Sequence, residues 1–212
     1  MFNCLLGTGG QKEVAPDTEK GIKFMRNNLG ILSIILVGIM FVMSSLHNKA
    51  FGQSRQLNGH EYIDLGLPSG TKWATCNIGA RLSSDYGEHF ASSFVDIATQ
   101  KWGNGWSTPT YNDFYELMNK CSWRWTNQNG KNGYIVKESN GNSIFLPAAG
   151  YRTGSNRVHS HAGSYGHYWS SSHYTTNRCN TVYDLVFSSE GRDVNFSYHV
   201  TQEQSIRPVC HK

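Results

Sequence analysis

Apolar and polar residues alternate over several short stretches between residues 54 and 212, which predicts strands joined by tight turns. From Glu61 to Ala80, every second residue between 63 and 67 is apolar, and a Pro-Ser-Gly turn follows. This segment is predicted to open the domain as a β-hairpin. A second hairpin is predicted at Asn140-Gly141, which separates β-branched and aromatic runs.

Two segments have helical spacing instead. Residues 92–103 place apolar side chains every three or four positions, and Ser92 or Ser93 is the predicted N-cap. Thr110 precedes a second run, Tyr111 to Cys121, whose apolar residues recur at the spacing of one helix face. Threonine is a favoured N-cap, so the second run is the stronger helix prediction. The chain beyond it is predicted to form strands and loops.

An uncharged run of 18 residues, Leu29 to Leu46, follows three basic residues between positions 20 and 26. Such a run is at the lower limit of a membrane-spanning helix, and a basic flank is typical of a signal peptide. Ala50 to Gln53 resembles a signal-peptidase site. We therefore expect residues 25–53 to be a signal peptide or an uncleaved membrane anchor; a buried core helix is the third alternative.

The resulting organisation has three parts. Residues 1–24 are expected to be a cytoplasmic leader or a mis-assigned start, since Met25 would begin a conventional signal peptide. Residues 54–212 are long enough for one domain with a hydrophobic core, but too short for two. The signal peptide or anchor at 25–53 lies between them.

Composition narrows the choice of partner. Charged residues are 16% of the chain, aromatic residues are 13%, and the formal net charge is only +4. Since part of that charge lies beside the uncharged run, no basic patch indicates nucleic acid. Export would permit a disulfide, and Cys76 with Cys121 is a candidate pair; two buried free thiols are the alternative.

Five ordered motifs in this domain resemble one known family. They are DLGLPSGTKWATCNIGA (64–80), WGNGWSTPT (102–110), IFLPAAGYR (144–152), GSYGHYWSSS (163–172) and SIRPVC (205–210). Together they resemble the Fibrobacter succinogenes major paralogous domain, which is abundant in exported proteins of Bacteroidetes. The resemblance extends from about residue 58 to the end of the chain, and ordered motifs over a whole domain are more specific than one short pattern.

The resemblance implies an α+β domain with a C-type-lectin-like fold: short twisted antiparallel sheets, about two helices and long loops. It also implies that Trp169 and the strand 145–147 belong to the core, and that 207–209 form the closing strand. The calcium-binding motifs of sugar-binding C-type lectins are missing from the chain, so their chemistry is not carried over.

The C-terminal third uses an unusually small set of residue types. Between positions 153 and 201, 30 of 49 residues are Asn, Ser, Thr, Tyr, His or Asp. Substituting the adenines of an AAC codon cannot produce Lys, Glu, Gln, Met or Trp, and only Trp169 and Glu190 in this segment belong to those types. Residues 54–152 contain 18 of them in 99 positions, a much higher share.

This composition matches a second resemblance. The family includes targets of diversity-generating retroelements, which rewrite adenines at the 3′ end of one gene and leave the scaffold unchanged. The chain would then be one diversified copy. Ordinary polar loops are the alternative, because loops of any β-rich region carry Ser, Asn and Thr.

Strand alternation divides the segment into scaffold and surface. Tyr183, Leu185 and Phe187 are predicted to face the core, as are Val194 and Phe196, with the residues between them in solvent. Tyr, Ser, Asn and His are favoured in antibody-like binding sites. The predicted ligand-binding residues are His161, Tyr165, His167, His173, Tyr174, Asn177, Cys179, Asn180, Asp184, Val186, Asp193, Asn195, Tyr198 and His199.

Catalysis has little support in the sequence. His159 and His161 could place two imidazoles on one face of a strand, but a metal site needs further ordered ligands. The family resemblance also implies a relation to formylglycine-generating enzymes, which suggests Cys179 and Cys210 as copper or redox cysteines. The arginine-rich motif that surrounds such cysteines in those enzymes is missing here. No nucleophile elbow or phosphate-binding loop is present.

The sequence thus predicts an exported or surface-displayed ligand-binding protein, not an enzyme, with no cofactor and no metal. Its expected partners are an unknown protein or glycan ligand and, through the N-terminal segment, a membrane; nucleic acid is not expected. The alternatives are a constant carbohydrate- or peptide-binding adhesin and a degenerate relative of formylglycine-generating enzymes.

Overall fold

Short strands joined by tight turns dominate the computed structural model, which describes residues 55–153, 158–175, 180–197 and 201–211. This part of the chain contains fourteen strands and two helices. The strands are β1 (Arg55–Leu57), β2 (His60–Asp64), β3 (Thr71–Ala74), β4 (Phe90–Ala91), β5 (Ser122–Gln128), β6 (Lys131–Lys137), β7 (Ser143–Pro147), β8 (Tyr151–Thr153), β9 (Val158–Ser160), β10 (Tyr165–Thr175), β11 (Asn180–Ser188), β12 (Gly191–Ser197), β13 (Glu203–Gln204) and β14 (Val209–His211). The helices are α1 (Ile97–Trp102) and α2 (Tyr111–Lys120).

The strands form four small sheets, and all the pairings between these strands are antiparallel. Their orders are β1-β2-β3-β14, β5-β6-β7, β10-β11-β12 and β4-β13-β8-β9. Both predicted hairpins are confirmed, since β2 pairs with β3 and β6 pairs with β7. The closing strand begins at Val209, two residues later than expected, and pairs with β3.

Helix α2 confirms the stronger helix prediction and its cap. The Thr110 side chain accepts a hydrogen bond from the Asp113 backbone N–H, and the Asp113 carboxylate accepts one from the Thr110 N–H at 2.8 Å. This reciprocal pair satisfies two backbone donors that the first turn would otherwise leave unpaired. Phe114 and Leu117 bury the apolar face of the helix.

Helix α1 is shorter than predicted. Its N-cap is Asp96, not Ser92 or Ser93, because the Asp96 carboxylate accepts from the backbone N–H groups of both Thr99 and Thr108. Phe94, expected on the buried helix face, lies in the preceding loop and is 74% exposed. Periodicity could not predict this cap, because the same carboxylate also bonds to Thr108, which lies beyond the end of the helix.

Two clusters of buried side chains form the core. The larger one places Trp73, Phe114, Tyr134 and Phe187 among aliphatic residues from the sheets and α2. The smaller one contains Trp102, Trp106 and Trp169. The burial of Trp169 and of 145–147 confirms their predicted place in the core.

The expected α+β class, with a C-type-lectin-like fold, is wrong. The described residues form a β-rich fold of several antiparallel sheets, in which the two helices have only 6 and 10 residues. The expectation came from short motifs, which report local turns and core positions. The fold class depends instead on the share of the chain that lies in strands and in helices. The predicted leader, signal peptide or anchor falls outside the described residues, within which no helix is long and apolar enough to span a membrane.

Candidate functional site

The predicted ligand-binding residues lie mainly on the meander β10-β11-β12. Strand β11 pairs with β10 on one side and β12 on the other, so His167, Val186 and Asp193 are aligned across the three strands. Side chains of a strand alternate between its two faces. One face carries Leu185 and Phe187 into the larger core, as predicted, and the other face carries most of the predicted site.

Exposure separates these residues into groups. His161, Tyr165, Tyr174, Asp193 and Asn195 are exposed, whereas His167, His173 and Val186 are half-buried. Asn180 begins β11, where only its backbone is described. Four predicted residues lie outside the described residues: Asn177, Cys179, Tyr198 and His199.

Asp184 was predicted to face solvent, and that prediction is wrong. Its side chain is 3% exposed because β13 covers this part of the sheet, where the Gln204 side-chain amide donates to the Asp184 carboxylate at 2.9 Å. The His167 ring nitrogen Nδ1 lies 3.8 Å from the same carboxylate. Asp184 therefore holds neighbouring side chains in position from below the surface.

A connected group of rings lies beside the exposed end of the meander. The ring of Tyr151, in β8, lies 5.4 Å from that of His161 and 5.0 Å from that of His167. His161 is also 5.4 Å from Tyr165. We call Tyr151, His161, Tyr165 and His167, with Val186, Asp193 and Asn195 beside them on β11 and β12, the His–Tyr surface.

The turn before β10 fixes two of these rings. His161 has a φ of 60°, and its carbonyl accepts from the backbone N–H groups of Ser164 and Tyr165 at 3.0 and 2.9 Å. The tight turn brings Tyr165 back beside His161. Tyr151 was not among the predicted site residues because it precedes the segment of restricted composition, and only the pairing of β8 with β9 shows its position.

Tyr174 lies on the opposite face of the meander. A bulge between Trp169 and His173 changes the register, and Tyr174 is aligned with Thr181. The neighbouring rings form a second group, which we call the aromatic row: Tyr111, Tyr115, Tyr174, Tyr183 and Phe196.

The predicted burial of Phe196 and Tyr183 is only partly correct. Phe196 is 37% exposed and Tyr183 is half-buried, although the Tyr111 ring at the start of α2 lies 4.8 Å from that of Tyr183. Val194, two residues before Phe196, is buried as predicted. Alternation identifies the face of a side chain, but the extent of the covering layer decides its burial.

His173 belongs to neither group. Its ring stacks on Phe94 at 4.3 Å, beside a small cavity of about 60 Å³ lined by Trp169, Val182 and Ile206. His173 therefore contacts the loop that carries Phe94, and no ring contact joins it to the His–Tyr surface among the described residues.

The pair His159 and His161 does not form a joint site. His159 lies in β9, 4.7 Å from the buried ring of His89, whereas His161 follows the end of the strand and stacks on Tyr151. Burial, with smaller contributions from the charges of His159 and Arg152, lowers the pKa of His89 to about 4. Within the described ranges, no three His, Cys, Asp or Glu side chains are grouped to hold a metal ion.

Two of the described cysteines, Cys76 and Cys121, were the candidates for a disulfide. Cys76 and Cys121 have free thiols, so the candidate disulfide is not formed. Burial, followed by the charges of Glu138 and Glu116, raises the pKa of Cys121 to about 12, and a thiol that remains protonated is a poor nucleophile. Cys210 is fully buried, and Cys179 lies outside the described residues.

Comparisons with known proteins bear on part of the chain. Residues 116–209 match the profile of a family described as "Domain of unknown function (DUF8237)". This is less than half of the chain, and the matched region includes the meander and every residue of the His–Tyr surface. The curated proteins gave no match, and neither did the solved structures.

Proposed function

We propose that this chain is an exported ligand-binding protein whose His–Tyr surface makes the contact with a macromolecular ligand. The observation that carries the proposal is the connection of Tyr151, His161, Tyr165 and His167 through ring contacts of 5.0 to 5.4 Å. Tyrosine rings bury a large area at low entropic cost, and asparagine supplies adaptable hydrogen bonds. Histidine adds ring nitrogens that can donate or accept. A few such anchors usually provide most of the binding energy.

A rigid base under the surface supports this role. Tyr168 and Trp169 are buried between the exposed residues of β10, and the backbone of Ser205 bonds to that of His167 and Trp169. The buried Asp184–Gln204 hydrogen bond lies beside His167, whose Nδ1 is 3.8 Å from the Asp184 carboxylate. A surface held in place before binding loses less conformational entropy on binding.

The proposal extends to how the surface arises. We place the chain in the Fibrobacter succinogenes major paralogous domain family, as a copy whose 3′ codons are rewritten by a diversity-generating retroelement. The restricted composition between 153 and 201 supports this, because it coincides with the meander and its exposed face. Buried Trp169 and exposed Glu190 would then be unaltered codons.

Gene sequences from independent isolates test the diversification. Substitutions should concentrate at adenine positions in codons for residues such as Tyr165, Asp193 and Asn195, beside a template repeat and a reverse transcriptase gene. Codons for Tyr134 and Phe145, which lie in the core, should stay constant. An even spread of silent and replacement changes over the gene would contradict this part of the proposal.

Export is proposed from the uncharged run at 29–46 and its basic flank. Protease added to intact cells or spheroplasts should digest the domain while cytoplasmic proteins survive. Full protection of the domain in spheroplasts would contradict export.

Binding is tested with the full-length chain on arrays of proteins, peptides and oligosaccharides. A ligand that binds saturably is measured again with the triple variant His161→Asn, Tyr165→Ser, Asn195→Ala. The matched control changes three exposed residues elsewhere: Arg81→Ser, Tyr115→Ser and Lys137→Ser. We expect at least a tenfold loss of affinity in the first variant only; equal effects of both variants would contradict the proposed surface.

A further inference from the structure

A depression of about 300 Å³ opens beside the His–Tyr surface, where the turn before β10 and the turn between β11 and β12 approach β5 and β6. Trp125 and Tyr165 lie in its wall, together with Asn132, Ser164, Ser189 and Glu190. Its volume is at the lower end of the range for ligand pockets, about 300 to 1,000 Å³. A ligand there would be small, or would be a terminal unit of a larger molecule.

Hydrogen bonds between elements hold the walls in place. The Asn132 side-chain amide donates to the Gly163 carbonyl at 3.0 Å, and its oxygen accepts from Asn127 at 2.9 Å. The Tyr134 hydroxyl donates to the Ser188 carbonyl at 2.9 Å. Both turns are thereby tied to β6, so the depression exists before any ligand enters.

The wall chemistry matches a saccharide. The Trp125 ring contacts those of Tyr134 and Phe187 and remains half-exposed. Tyr165 is 41% exposed, so two aromatic rings offer apolar surface to a ligand. Between them lie serine hydroxyls, an amide that retains one N–H and one lone pair, and the Glu190 carboxylate. Among the described residues, none donates a hydrogen bond to that carboxylate, which leaves it able to accept from ligand hydroxyls.

Calcium is not needed for such a site. The depression contains one carboxylate among its described lining residues, whereas Ca²⁺ takes six to eight oxygen ligands, with carboxylates prominent among them. Recognition would therefore come from ring contacts and direct hydrogen bonds.

Several wall residues would also be constant between diversified copies. Trp125 and Asn132 precede the segment of restricted composition, and Glu190 is one of its two residues that adenine substitution in an AAC codon cannot produce. Tyr165 is shared with the His–Tyr surface. The depression thus combines residues that would be constant between diversified copies with Tyr165, which belongs to the surface proposed to vary between them.

We infer that this depression is a calcium-independent saccharide-binding site whose fixed residues bind a sugar unit while the adjoining His–Tyr surface contacts what the sugar is attached to. The inference rests on the proposed binding function, to which it adds a ligand class and a second contact area.

The test uses the full-length protein on an array of immobilised oligosaccharides, followed by titration of the oligosaccharide that binds best. Ser164→Trp should fill the depression and lower affinity at least tenfold, and Glu190→Gln should lower it at least threefold. The matched controls, Ser139→Trp and Glu61→Gln, should change affinity less than twofold. Melting temperatures of all four variants show whether each one folds.

The outcomes separate this inference from the proposed function. Two further variants, Asp193→Ala and Asn195→Ala, change the His–Tyr surface alone. If these two lose affinity while Ser164→Trp and Glu190→Gln do not, the saccharide site is contradicted and the His–Tyr surface is retained. If none of these four site variants loses affinity, both proposals are contradicted. Absence of any oligosaccharide binding, or its loss on adding a chelator, would overturn the saccharide site.

Discussion

At the scale of single residues, Arg207 is the clearest example of a side chain that fixes the scaffold. It is fully buried and donates to the Asn77 side-chain oxygen and to the carbonyls of Ala74, Thr75 and Phe145, at 2.8 to 3.1 Å. A buried guanidinium is tolerated only when its donors are satisfied. Arg207 therefore joins the segment before β14 to β3 and β7.

Replacing Arg207 is expected to destabilise the domain strongly. Arg207→Met removes the donors of four hydrogen bonds, three of them buried, and should lower the free energy of unfolding by about 3 kcal/mol or more. Arg207→Lys should recover little, because an ammonium cannot reproduce the planar set of donors. Urea denaturation measures both, with exposed Arg81→Met as control; a loss below about 1 kcal/mol in Arg207→Met would contradict the role.

His89 gives the stability of the domain a pH dependence. Burial lowers its pKa from the ordinary 6.5 to about 4, so the unfolded chain binds a proton more readily than the folded chain between those values. The folded state should therefore lose about 3 kcal/mol, to order of magnitude, as pH falls from 6.5 to 4. His89→Gln should remove this part of the loss, and unfolding at pH 7 and pH 4.5 measures it; identical pH dependence in both proteins would contradict the assignment.

At the scale of elements, sequence patterns predicted helices, caps and strand faces better than they predicted which distant segments pack over them. Helix α2 and its Thr110 cap could be predicted because capping and spacing involve neighbouring residues. The inward side chains of β11 could be predicted by alternation, but the burial of Asp184 could not, because it depends on Gln204 in another sheet. Tyr151 was missed because it precedes the segment of restricted composition, and Tyr174 was grouped with residues on the other face because a bulge in β10 changes the register.

The two faces of the meander should differ in their effect on stability. Phe187 is 1% exposed and packs against Tyr134 and Tyr168, so Phe187→Ala should lower the free energy of unfolding by about 3 to 5 kcal/mol. Tyr174 is 42% exposed, and Tyr174→Ala should cost less than about 1 kcal/mol. Chemical denaturation measures both variants, and similar losses would contradict the division into scaffold and surface.

At the scale of the whole molecule, small sheets bring residues from separate parts of the chain to one surface. Tyr151 comes from β8, His161 from the turn before β10, and Asn195 from β12. The segment of restricted composition contains six of the seven residues of this surface, whereas the bulge in β10 and the cover from β13 determine which of its side chains lie there. The β-rich class was not predicted because the expected class came from the resemblance of short motifs, which does not report how much of the chain lies in strands.

The central claim is that ligand binds at the His–Tyr surface and not at the aromatic row. Tyr165 and Tyr174 form a matched pair for testing it, since they are 41% and 42% exposed on opposite faces of the same strand. The decisive measurement is the affinity of the full-length Tyr165→Ser and Tyr174→Ser variants for a ligand selected on the arrays, with and without chelator. We predict a loss of about 2 kcal/mol, roughly 30-fold, for Tyr165→Ser and less than threefold for Tyr174→Ser, with no effect of chelation. Unchanged affinity in Tyr165→Ser, or the larger loss in Tyr174→Ser, would contradict the account.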